Sequence, residues 1–170
     1  MVRMFLEGAS LVVMAAALAL AARTDLERRV IPNGCSVAVG VSGLVRAAAR
    51  RAGGAGAGAV AEAALGVLAV FAVMGLAAAA SRRLSGRSGV GGGDVKLLSA
   101  AGAWTGPAWG LAVVAGACLT SLALAVTEHI LQRLTGHKNV IYGVGATAGG
   151  IPLGPGIALI TLAVVLLGRP

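Results

Sequence analysis

Asp25 and Asp94 are the only aspartates in this 170-residue chain, and each stands where an apolar run meets residues that turn or break a helix. Asp25 lies in Thr24-Asp25-Leu26-Glu27-Arg28-Arg29, just ahead of Ile31-Pro32-Asn33. Asp94 closes the glycine run Gly89-Val90-Gly91-Gly92-Gly93 and is followed by Val95-Lys96. Two carboxylates within reach of one water cannot easily both ionise, so such a pair holds a single proton near neutral pH. The ionised member can take a proton from water as it attacks a peptide carbonyl, while the protonated member stabilises the oxyanion and the leaving amine. Aspartyl peptide hydrolysis is the chemistry that follows. Gly91, Gly92 and Gly93 would let a substrate backbone come close and could take positive φ to aim Asp94. Each aspartate alone has a plainer account, Asp94 as a helix cap and Asp25 as a charge flanking a span.

The elements that must position these groups are set by composition. Hydrophobic residues make up 58% of the chain and charged residues 12%, with a mean hydropathy of +0.91. Soluble domains carry about a quarter charged residues, so an all-α, polytopic integral membrane protein is expected, folded as a single domain over residues 1–170. The net charge of +8 comes from Arg and Lys at the ends of apolar runs, where they act as topology signals. Aromatics are 3%, which leaves no stacking platform for nucleic acid. Cys35 and Cys118 have neither CxxC nor Cys/His spacing, and no metal or cofactor is expected.

Six segments are expected, one of them short. The first runs to Ala22, with the outline of either a retained anchor or a signal peptide cut near Ala22. A charged turn, Arg23 to Arg29, follows. The second segment opens at Ile31-Pro32-Asn33, runs to about Val45, and is closed by Arg46, Arg50 and Arg51. The third covers Val60 to Ala80, with Glu62 at the interface and a polar loop Ser81 to Ser88 behind it. The uncharged run Leu97 to Thr127 would be about 46 Å as one helix, too long for a hydrocarbon core of about 30 Å. It must fold back at Thr105-Gly106-Pro107, leaving a short helix from about Asp94 to Trp104. Glu128 to Asn139 is expected as a polar loop with water-facing His129 and His137, before a last span ending near Gly168. With the N-terminus outside, Arg23, Arg28, Arg29, Arg82, Arg83 and Arg87 fall inside and Arg3, Arg46, Arg50 and Arg51 outside. Asp25 and Asp94 then share the cytoplasmic side.

Asp25 with Ile31, Pro32 and Asn33, and then Gly91-Gly92-Gly93-Asp94-Val95-Lys96-Leu97-Leu98, resemble the motifs of the prepilin peptidases, membrane aspartyl proteases of the GxGD type. Ile151-Pro152-Leu153-Gly154-Pro155 is similar to their closing motif. The resemblance implies an endopeptidase that removes the leader of type IV prepilin-like precursors at the cytoplasmic face of a prokaryotic inner membrane. It implies Asp25 and Asp94 as the catalytic pair, with Gly91, Gly92, Gly93, Lys96, Ile31, Pro32, Asn33, Pro152 and Pro155 shaping the site. The partners it implies are a prepilin-like substrate and membrane lipid. The size and the lack of paired CxxC motifs resemble the short form of tight-adherence (Flp-type) pilus systems or archaeal preflagellin peptidases, without the methyltransferase domain. The alternative is a non-enzymatic membrane subunit or small transporter in which the two aspartates bind a proton or cation.

Overall fold

The computed structural model describes residues 2–52, 58–85, 91–135 and 153–167. Five helices make up these residues: α1 (Val2–Arg28), α2 (Asn33–Arg50), α3 (Gly58–Ser85), α4 (Gly92–Thr135) and α5 (Gly154–Leu166). No strand occurs among the described residues. The chain is an all-α membrane protein. By length and composition α1, α3 and α4 can cross a bilayer, whereas α2 and α5 fall short of that measure. Leu65, Leu68, Phe71 and Leu76 of α3 point outward, as side chains do when lipid is their solvent.

The residues Arg23 to Arg28, expected as a turn, are the last turns of α1. Nothing in them breaks a helix, and Arg23 Nε pairs with Glu27 Oε1 at 2.8 Å, four residues on. The helix stops only at Arg29, whose φ of 55° is left-handed and whose amide still donates to the Asp25 carbonyl at 3.0 Å. Pro32 then sits in extended conformation at the N-cap of α2. Asp25 is therefore fixed by a helix, not carried on a loop.

The expected reversal at Thr105-Gly106-Pro107 is present inside α4. Gly106 has φ 70° and ψ −177°, a region open essentially to glycine alone. A methyl group built on Gly110 would lie 3.6 Å from the Gly102 Cα, so the second arm doubles back along the first. A helix broken here loses the partners of its last carbonyls, because Pro107 has no N–H. Arg46 supplies one: its Nη1 donates to the Trp104 carbonyl at 3.3 Å, with the guanidinium 5.1 Å from the Trp104 ring centre. Arg46 is thus a structural cap inside α2, and α2 runs on to Arg50 past the expected end near Val45.

Two further boundaries move outward. The third helix continues over Ser81, Arg82 and Arg83 to Ser85, and α4 continues to Thr135, so the part of the expected polar loop from Glu128 to Thr135 is helical. There Arg133 Nε donates to His129 Nε2 at 3.1 Å across one turn. His137 and Lys138 lie outside the described residues.

The core gathers Met14 and Leu18 of α1, Val39 of α2, Leu97, Leu98, Trp104 and Val113 of α4, and Ile157 of α5. α2 and the first arm of α4 run side by side in one direction, with Asn33 at Lys96, Gly40 at Ala100 and Arg46 at Trp104. α3 runs against that arm and meets it backbone to backbone at Gly66 and Gly102, where neither position has room for a Cβ. Cys35 and Cys118 are both free, one buried and one exposed.

Candidate active site

Four helix ends converge at one end of the bundle: the last turn of α1, the start of α2, the start of α4 and the start of α5. Each brings a residue from the sequence motifs. Asp25 of α1 is buried, 6% exposed, and Asp94 of α4 is half-buried. The two carboxylates are near enough to interact electrostatically, and the charge of Arg29 also acts on Asp25.

Asp94 owes its position to the helix it begins. Gly91 is the residue before the first turn, and the Val95 amide donates to its carbonyl at 3.2 Å, the first bond of α4. The Asp94 side chain reaches back to the Gly91 amide, the reciprocal half of a capping box. A Cβ on Gly91 would stand 2.6 Å from Asp94 Oδ2, and one on Gly93 would stand 3.0 Å from the Ile31 Cβ. Glycine is needed at 91 so that Asp94 can fold back, and at 93 so that α4 can pack on Ile31. A Cβ on Gly92 would meet nothing within 4 Å. None of the three has positive φ; among the described glycines that belongs to Gly106. At Gly91 and Gly93 it is the missing side chain, and not an unusual backbone, that the packing requires.

Asp25 is held from the other side of the bundle. The Gly154 amide donates to Asp25 Oδ2 at 2.8 Å in a buried contact. Leu153, at the N-cap of α5, offers no side-chain acceptor, and Pro155 in the first turn has no N–H to satisfy. A carboxylate from α1 fills the place that a capping side chain would take.

Ile31 is buried behind Gly93, Pro32 sets the entry to α2, and Asn33 Oδ1 accepts from Lys96 Nζ at 3.0 Å on the exposed rim. Pro155 is half-buried in the first turn of α5, and Pro152 lies outside the described residues. Sequence reasoning did not single out Gly154. Its contribution is a backbone amide, and the available sign was a Gly-Pro pair opening an apolar run. Glu62, expected at the interface, lines a cleft of ≈ 30 Å³ at the opposite end of the bundle, with Arg46, Arg50, Trp104 and Gly106. Among the described residues, no group of three or more His, Cys, Asp or Glu side chains gathers as a metal site.

The arrangement offers two carboxylates from different helices, each receiving a backbone N–H. No curated protein and no solved structure was found to match the chain. The type IV leader peptidase family matches over residues 12–126, which takes in both aspartates and more than half of the sequence. On that match, the chain belongs to the type IV leader peptidase family.

Proposed function

We propose that this protein is a membrane aspartyl endopeptidase that removes the leader from type IV prepilin-like precursors, with Asp25 and Asp94 as its catalytic pair. The observation that carries the reading is the meeting of these two carboxylates at one end of the bundle, inside the stretch that matches the leader peptidases. One carboxylate takes a proton from water as the water oxygen attacks the scissile carbonyl carbon. The other, protonated, hydrogen-bonds to the carbonyl oxygen as it gains charge. Collapse of the tetrahedral species breaks the C–N bond, and a proton passes to the departing amine. Water is consumed, a carboxylic acid and an amine are produced, and the pair again holds one proton.

The precursor reaches this site from the membrane face where Arg82 and Arg83 stand, the cytoplasmic one on the charge bias. Its apolar segment would lie against the lipid-facing helices while its polar leader extends from the membrane. Purified protein incubated with a prepilin-like precursor tests the chemistry. Wild type should cleave it, and Asp25→Asn and Asp94→Asn should each lose activity by about 10³-fold or more with helical content unchanged. Full processing by either variant removes the catalytic pair. Activity should also follow a bell in pH, falling at low pH when both carboxyls are protonated and at high pH when neither is. A rise that never turns over would contradict the shared proton.

A further inference from the structure

The family match ends at residue 126, yet one of the two hydrogen bonds that hold the aspartates comes from far beyond it. We propose that Gly154 is a positioning residue for the reaction: its amide fixes Asp25 Oδ2, and its lack of a side chain is what lets Asp25 occupy the site. This rests on the reading of Asp25 as a catalytic carboxylate.

Three observations lead there. The first is the contact itself, 2.8 Å from the Gly154 nitrogen to Asp25 Oδ2, joining two helices 129 positions apart in the chain. The second is how little else α5 offers at this point. Its N-cap residue is Leu153, and Pro155 follows within the first turn. The Gly154 amide has no capping side chain on its own helix, and Asp25 is the acceptor it meets. The third is space. A Cβ on Gly154 would sit 2.8 Å from the Asp25 Cβ, 2.9 Å from Oδ2 and 3.2 Å from Cγ. Real Cβ atoms do not approach so closely, and the neighbours are the root and head of a buried side chain on a helix, so the carboxylate itself must move.

The chemical consequence is a division of labour between the two oxygens of Asp25. Oδ2 is committed to the amide, and in the proposed reaction Oδ1 is the oxygen that serves the attacking water. A fixed donor at Oδ2 also limits rotation of the carboxylate, so the reacting oxygen keeps one direction. α5 packs on α1 and on the second arm of α4, at Gly116, Ala117 and Ser121, so its first turn is held in place beside Asp25.

Gly154→Ala and Gly156→Ala separate positioning from mere packing. Both add a methyl group at the start of α5, but the Gly156 methyl would meet Ser121 Oγ at 2.6 Å and the Ala117 carbonyl at 2.8 Å, away from the aspartates. With a prepilin-like precursor, Gly154→Ala should lower kcat by about 100-fold with KM little changed, the scale of a reacting group displaced by about 1 Å. Gly156→Ala should lower thermal stability while kcat per folded molecule stays near wild type. Should Gly154→Ala fail to fold, Pro155→Gly frees the first turn of α5 without adding an atom beside Asp25, and a fall in kcat at constant KM is again expected. Wild-type kcat in Gly154→Ala, or in Pro155→Gly where the first cannot be made, overturns the positioning role while an inactive Asp25→Asn leaves the catalytic pair standing. An active Asp25→Asn would instead remove the pair itself.

Discussion

Lys96 Nζ donates to Asn33 Oδ1 at 3.0 Å, tying the first turn of α2 to the first turn of α4 two residues from Asp94. Both side chains are exposed, so the bond competes with water and its net worth is about 0.5–1.5 kcal/mol. Lys96→Met should therefore reduce activity modestly, not abolish it, and the loss should be shared with Asn33→Ala. A double-mutant cycle on kcat/KM should show the two effects to be less than additive; fully independent losses would mean that the contact does not serve the site. A lone lysine after an acid gives no hint of such a partner, because 63 residues separate the two ends of the bond. The aspartates were easier to read. A carboxylate beside an apolar run is costly enough to demand a reason, and a shared side of the membrane brought them together. Gly154 was harder, since a backbone amide has no signature in residue type.

The break in α4 was legible from length: an uncharged run too long for one crossing, with Gly-Pro near its first third. What that run did not reveal was how the exposed carbonyls would be satisfied. Arg46 was read as a charge that ends a helix; it lies within α2 and donates to the Trp104 carbonyl. Its long stem and planar head suit that task, stacking on the ring and donating at the same time. Helix ends were read too early for α2, α3 and α4 because charge was taken as a stop signal. Arg and Glu are good helix formers, and a helix that leaves the bilayer need not unwind at the interface. Gly106→Ala tests the break directly. A Cβ at φ 70° and ψ −177° should cost about 1–3 kcal/mol, and it would also crowd Glu62 Oε1 at 3.1 Å. The measurement is the thermal midpoint in detergent, and an unchanged midpoint would show that the turn tolerates a side chain.

At the scale of the molecule, composition was enough for the class, and the order of the motifs for their gathering at one end. The count of crossings was not, because α2 is too polar and α5 too short to qualify on length and apolarity, although both help enclose the core. α2 and the first arm of α4 run parallel from the same end, and α3 runs against them, so the bundle has a site end with Lys96 and Arg83 and a far end with Arg51 and Trp104. If the site end faces the cytoplasm, single cysteines should report it. Cys118 is exposed and is first replaced by Ser, whereas Cys35 is buried and can stay. In intact spheroplasts an impermeant thiol reagent should then label Arg51→Cys and spare Arg83→Cys, both positions being exposed. Permeabilisation should open Arg83→Cys to the reagent. The reverse pattern would put Asp25 and Asp94 outside the cell, where a precursor still carrying its leader could not reach them before export.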